Sequence, residues 1–329
     1  MTDKPRVWVS RPTFPGVIAR LDPYFEVTVE ADERKFSPSE LAARLAGQDA
    51  AIVGLKDRIG AAEIAGAERL RMVANLAVGY DNIDLDALSA AGIAVSNTAD
   101  VLNESVADYT WALLLGAARR MSAAERWLRD GHWQATEFKA WLGSDVRGRT
   151  LGILGMGRIG QAIARRAVGF GMPVIYYNRT RLPEADERAC NARHVDKQQL
   201  LREADFLVLA LPLTTQTRHA IGAPELALMK ATAMLINIAR GGIVDDAALA
   251  AALRERRLAG AALDVFEGEP KVHPALLTLD NVVLSPHIAS ATTDTRRAMT
   301  SVAVDNVLAM FGHGPNAGRP PNLLNPNVL

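Results

Sequence analysis

Short apolar runs alternate with amphipathic stretches along almost all of this 329-residue chain, and nothing else in it limits the fold as much. Val7–Ser10, Val27–Val29, Ala50–Gly54, Met72–Ala77 and Ala94–Ser96 have the length and composition of strands. Helix-like segments lie between them. Ser39–Ala46 carries Leu41 and Leu45 on one face, and Asp84–Ala91 opens on an acid and stops at Gly92. Strand–helix alternation predicts an α/β fold in which a parallel sheet is covered on both faces. A long helix is predicted over 101–120, where Val106, Thr110, Leu113, Leu114 and Ala117 keep helical spacing. Arg119–Arg120 stand at its C-terminal end, where the helix dipole favours cations. The segment after it, with Trp127, Trp133 and Trp141, has weak periodicity and reads as an arm or loop. The alternation restarts at Thr150–Leu154 and continues through Val174–Tyr177, Phe206–Ala210, Met234–Ile238, Gly260–Leu263 and Val282–Leu284. Helices are predicted over Asp246–Arg257 and over 293–311.

The length suits two domains, at roughly 100–200 residues each. Apolar residues make up 49% and charged residues 22%, an ordinary globular balance that excludes a disordered or coiled-coil chain. The 37 Lys and Arg cancel the 37 Asp and Glu, so no basic excess points to nucleic acid or to an anionic membrane. Cys190 is the one cysteine, which excludes an internal disulfide and any CxxC site. The first residues lack a signal-peptide apolar core. The apolar stretch 111–118 is far below the ~20 residues of a membrane span. A cytoplasmic protein is expected.

Three constellations carry chemistry. The first is Gly155-Met156-Gly157-Arg158-Ile159-Gly160. Alone this spacing is weak, but here a strand precedes it and an amphipathic helix follows. Such glycines give a tight turn, close backbone approach to a pyrophosphate and close helix–strand packing. A glycine-rich turn without a ligand is the bland alternative. Gln161-Ala162 stands where a P-loop has Lys-Ser/Thr, which argues against triphosphate hydrolysis. The second is Asn178-Arg179-Thr180-Arg181, at the end of the next strand. NAD-preferring sites place an acid there, whereas guanidiniums and a hydroxyl suit a 2′-phosphate. NADP(H) is therefore expected over NAD(H), the alternative being a solvated basic loop. The third is Arg240, Glu269 and His287, at or just beyond the ends of predicted strands, where open α/β sheets bind ligands. Hydride transfer to a 2-oxo acid needs a cation for the carboxylate, a proton donor such as His, and a carboxylate to orient it. Any one of the three alone would read as a surface charge or a satisfied histidine.

In combination these stretches resemble the D-isomer specific 2-hydroxyacid dehydrogenases over nearly the whole chain. The matching segments are 75–88, 103–115, 151–166, 209–222, 235–249, 262–270 and 285–292. The chain is most similar to the glyoxylate/hydroxypyruvate reductase and 2-ketogluconate reductase branch. The resemblance implies two Rossmann-like or flavodoxin-like domains with the active site in the cleft between them. It places a substrate-binding domain at 1–99 plus 289–329 and a dinucleotide-binding domain at 100–288, with the two long helices as hinges. Arg240 would bind the substrate carboxylate and polarise its carbonyl, His287 would exchange the proton, and Glu269 would hydrogen-bond His287. Backbone N–H groups of Val78 and Gly79 would hold the carboxylate, with Leu55 and Lys56 facing the same pocket. Implied cofactor contacts are Val78, Met156 to Ile159, Asn178 to Arg181, Pro212, Thr217, Ile238, Ala239, Arg240, Asp264, His287, Ala289 and Ser290. A homodimer is expected, with the 120–145 arm crossing over and Trp141 directed toward the partner. Two alternatives stay open: an NAD-linked phosphoglycerate or D-lactate dehydrogenase, and a nucleotide-sensing corepressor built on the same fold. Arg179 in place of an acid weighs against the first, and the expected absence of a regulatory extension weakens a feedback-regulated phosphoglycerate dehydrogenase. Glu269 disfavours formate dehydrogenases, which carry Gln there.

Overall fold

The computed structural model describes residues 4–136 and 138–329. The chain divides into two compact units, Met1–Leu102 with Ala291–Leu329, and Asn103–Ser290.

The first unit is built on a five-stranded parallel sheet ordered β2-β1-β3-β4-β5. Its strands are β1 (Arg6–Val9), β2 (Glu26–Val29), β3 (Ala50–Val53), β4 (Met72–Asn75) and β5 (Ala94–Ser96). Successive strand residues point to opposite faces, and the chain uses that rule to fill two separate cores. Val7, Val9, Ala50, Ile52, Met72 and Ala74 pack on one face with Ala303, Val304, Val307 and Leu308 of the helix Thr293–Met310. Trp8, Ala51, Val53, Val73 and Val95 pack on the other with Leu41, Leu45 and Leu88. This two-sided burial explains why the strands read as unbroken apolar runs rather than alternating ones. Thr292 and Ser37 cap the helices that follow them, Ser37 as half of a capping box with Glu40.

The second unit carries a seven-stranded parallel sheet ordered β12-β11-β10-β9-β6-β7-β8. The strands are β6 (Leu151–Leu154), β7 (Val174–Tyr177), β8 (Ala192–His194), β9 (Phe206–Leu209), β10 (Met234–Asn237), β11 (Gly260–Leu263) and β12 (Val282–Leu284). The order reverses between β6 and β9, which makes their C-terminal ends the switch point where such sheets bind ligands. The helix Asn103–Ala118 lies within this unit, with Trp111 donating from Nε1 to Ile163 O at 3.1 Å and stacked on Phe170.

Two expectations need correction. The Trp-rich segment is not all loop, because Met121–Arg129 is helical. Arg120 takes a left-handed conformation, φ +54°, which ends one helix and starts the next at a new angle. Met121, Ala124, Trp127 and Leu128 do keep helical spacing over the nine residues of this helix, but the run is short and Ala123 is its one buried residue, with Met121 and Leu128 exposed. The edge strand β8 was not expected either. It is three residues, Ala-Arg-His, with none fully buried. Several predicted strands also run a residue or two too long, since the apolar run continues past the last ladder bond into the site loops. No helix of the described residues is long and apolar enough to cross a membrane.

Candidate active site

The glycine loop follows β6. Gly155 has φ +100°, and a Cβ there would lie 2.7 Å from the Ala210 backbone, so only glycine lets the loops after β6 and β9 touch at the switch point. Gly157 differs: a Cβ there would meet no atom of the described residues within 4 Å. The protein itself does not need that glycine for packing, and the open space before the helix Arg158–Ala167 fits a phosphate approaching the helix N-terminus. Met156 and Asn178 clasp each other, Met156 N donating to Asn178 Oδ1 at 2.7 Å. Asn178 thus holds the loop by its side chain.

Beyond β7 the two arginines behave differently. Arg181 donates to Glu187 from Nε at 2.9 Å and from Nη2 at 2.7 Å, and Tyr176 donates its hydroxyl to the same carboxylate at 2.6 Å. Arg179 is exposed and makes no ion pair or hydrogen bond to the described residues. The fork of Arg181 is therefore committed internally, and Arg179 is the guanidinium presented outward. Past β9, Thr217 donates to Pro212 O at 2.7 Å and accepts from Thr214 N at 2.7 Å, closing the loop 212–217 on itself.

The loops after β10, β11 and β12 bring the three charged candidates together. Arg240 is half-buried after β10 and donates from Nη1 to Ala239 O at 2.9 Å. Asn237 accepts from Ala239 N at 3.1 Å and donates to Arg240 O at 3.2 Å, fixing the stretch Ile238–Arg240. A Cβ on Gly241 would lie 1.7 Å from Phe266 O, so glycine is what lets this loop press against the one carrying Glu269. Asp264, fully buried after β11, accepts from Ser285 Oγ at 2.7 Å, Ile288 N at 2.9 Å and Ala289 N at 2.9 Å. It ties down the segment on which His287 stands at φ +55°, a left-handed conformation that a non-glycine residue holds only when its surroundings fix it. Ser290 follows at the end of this segment, and Ala289 O accepts from Ser105 Oγ at 3.3 Å.

His287 Nδ1 lies 2.9 Å from Glu269 Oε2, and Glu269 Oε1 accepts from Phe266 N at 3.0 Å. Burial alone would push the Glu269 carboxyl up. The hydrogen bond and charge of His287, the Phe266 N–H and the Arg240 guanidinium outweigh it and hold the group below its ordinary value. Glu269 is then a carboxylate at neutral pH, Nδ1 carries the proton toward it, and Nε2, which bonds to no described residue, is the nitrogen left to give or take a proton.

In the first unit, Leu55 follows β3, and Val78 and Gly79 follow β4. Asn97 Nδ2 holds Val78 O at 2.8 Å and Asn75 Nδ2 holds Gly79 O at 3.0 Å, while the two N–H groups bond to no described residue. Anchored carbonyls with open N–H groups make a ready acceptor for an anion. Lys56 is exposed and has no bonded partner among the described residues. The clamping asparagines, like Asp264, were not singled out from the sequence as supports. Each acts on a segment distant in the chain or through its own backbone turn, and no spacing pattern marks that.

Residues 111–289 match the profile described as D-isomer specific 2-hydroxyacid dehydrogenase, NAD binding domain. Over 99% of its length the chain is 46% identical to a glyoxylate reductase of Thermococcus gammatolerans, covering 97% of that protein. Among solved structures it resembles a glyoxylate reductase from Paecilomyes thermophila, with TM-score 0.88, 31% identity and 99% of each chain covered. It also resembles an NADPH-dependent glyoxylate/hydroxypyruvate reductase from Sinorhizobium meliloti in complex with NADP and malonate. There the TM-score is 0.85 and the identity 36%, over 98% of this chain and 97% of that one. Fold, site loops and relatives together define a nicotinamide-dependent oxidoreductase. The chain belongs to the D-isomer specific 2-hydroxyacid dehydrogenase family and is an NAD(P)-dependent enzyme of it.

Proposed function

We propose that the enzyme reduces a small 2-oxo acid, such as glyoxylate, hydroxypyruvate or 2-ketogluconate, to the D-2-hydroxy acid with NADPH as the preferred reductant. The observation that carries this reading is the His287–Glu269 pair at 2.9 Å, with Arg240 close enough to lower the Glu269 carboxyl. The residues that would hold the dinucleotide are Gly155 to Gly160, Asn178 to Arg181, Pro212, Thr217, Ile238 to Arg240, Asp264, and His287 to Ser290, with Val78 of the first unit. The nicotinamide, when bound, supplies the hydride. Arg240 pairs with the substrate carboxylate and polarises the carbonyl. His287 donates the Nε2 proton to the carbonyl oxygen as charge develops there, and Glu269 stabilises the imidazolium that precedes the transfer. On the first unit, the Val78 and Gly79 N–H groups are the candidates to hold the substrate carboxylate, with Leu55 as a further candidate contact.

The test is a pair of variants. His287→Ala and Arg240→Ala should each lose activity by about a hundredfold or more, while His287→Ala still binds NADPH, read by quenching of tryptophan fluorescence. Loss of nucleotide binding in His287→Ala would mean that the residue serves mainly to hold the dinucleotide rather than to exchange the proton.

A further inference from the structure

The Val78 and Gly79 N–H groups bring no side-chain chemistry of their own, so their aim depends on what holds the backbone behind them. We propose that the Arg11–Asp57 pair, half-buried at Arg11 and fully buried at Asp57, is a positioning device for the substrate carboxylate, acting through a continuous polar network that ends at Val78–Gly79. This rests on the reading that those N–H groups bind a 2-oxo acid.

The network starts at Asp57, which is fully buried. Its Oδ2 accepts from Ser10 Oγ at 2.6 Å, Arg11 Nη2 at 2.6 Å and Gly54 N at 2.8 Å. Its Oδ1 is buried without a partner among the described residues. A Cβ on Gly54 would lie 2.4 Å from Arg11 Cζ, so the guanidinium rests directly on the backbone there. These bonds join the loops after β1 and β3, the strands between which the first sheet reverses its order. Asn82, also buried, then donates from Nδ2 to Asp57 O at 3.0 Å and Gly54 O at 3.3 Å. Asn75 donates to Asn82 Oδ1 at 3.3 Å and to Gly79 O at 3.0 Å. From Arg11 to Gly79 the path runs through side chains and short turns, with hydrogen bonds at every link.

A buried ion pair is a poor source of stability, since apolar residues of similar volume serve as well or better. The unpartnered Oδ1 makes this one poorer still. What such a network does provide is rigidity: its members hold one another to a single arrangement. Here its far end is the backbone whose N–H groups are open. Asp57→Asn keeps the shape but removes the charge that fixes Arg11 and the turn at Gly54. The carboxylate it helps to place is present in substrate and transition state alike, so its loss is read in KM rather than kcat.

In the full-length enzyme, Asp57→Asn should raise the KM for glyoxylate and the Ki of oxamate together by about tenfold or more, with kcat and the KM for NADPH within about twofold. A merely structural role would instead lower the active fraction and the melting point, leaving KM and Ki unchanged. Ser10→Ala, which deletes one donor, covers the case in which Asp57→Asn does not fold, and should raise both constants about threefold. Unchanged KM and Ki in a folded variant would overturn the proposal. Failure of the unaltered enzyme to turn over any 2-oxo acid would instead remove the reading on which it rests.

Discussion

Arg179 lies in the stretch just past β7, where a dinucleotide site selective for NAD places an acid to bind the ribose hydroxyls. It is exposed and has no partner among the described residues, whereas Arg181, two residues on, spends its fork on Glu187. A charge-assisted contact to a 2′-phosphate is worth about 1.5–3 kcal/mol, or roughly ten- to a hundredfold in affinity. Arg179→Ala should therefore raise the KM for NADPH by at least about tenfold and leave that for NADH within about twofold. An equal change in both would mean that the side chain is merely solvated. The sequence presented the two arginines as equivalent. What separates them is Glu187, which reaches Arg181 only because the next helix folds back, and that is not visible in the Asn-Arg-Thr-Arg motif. The same holds for the open N–H groups of Val78 and Gly79: their position could be carried over from relatives, but the asparagines that anchor their carbonyls emerge only from the fold.

The segment from β7 to the helix Glu184–Ala189 is joined by one carboxylate. Hydrogen bonds from Arg181 and Tyr176 hold Glu187 at about 2, well below its ordinary 4.5. Burial, together with the hydrogen bond to Glu187, pushes Tyr176 up to about 12. Because the folded-state value of Glu187 is depressed, its contribution to stability is fully present above about 4.5 and is lost as the pH falls toward about 2. The melting point of Glu187→Gln should lie below that of the unaltered enzyme at pH 6, and the gap should close progressively between those two values. A gap that stays constant would mean that the carboxylate charge contributes nothing to the segment. Elements with a strong apolar period were legible from sequence, among them the glycine-loop helix Arg158–Ala167 and the strands β6 and β10. Short elements with little burial were not: Met121–Arg129 keeps an apolar period over only nine residues and buries only Ala123, and the three residues of β8 include none fully buried.

At the scale of the molecule, the α/β class followed from the alternation of strands and helices, and both parallel sheets agree with it. The arm after Asn103–Ala118 exposes five large apolar side chains in one stretch of chain, Met121, Leu128, Trp133, Phe138 and Leu142, and grouped exposed apolar residues mark interaction surfaces. Within it the Trp141 ring packs on Trp127 at 5.5 Å and under Arg120 at 5.1 Å. We propose that this arm covers a second copy. Sedimentation should give the mass of two 35.4 kDa chains, and Trp133→Ser with Phe138→Ser should shift it toward one. An unaltered enzyme that sediments as a single chain would remove the proposal.

Initial rates with NADPH and with NADH, against glyoxylate, hydroxypyruvate, 2-ketogluconate and pyruvate, test the assigned chemistry most directly. Turnover of glyoxylate or hydroxypyruvate with a clear preference for NADPH is the predicted result. A preference for NADH would overturn the cofactor assignment made from Arg179, and no turnover of any of the four would contradict the proposed reduction itself.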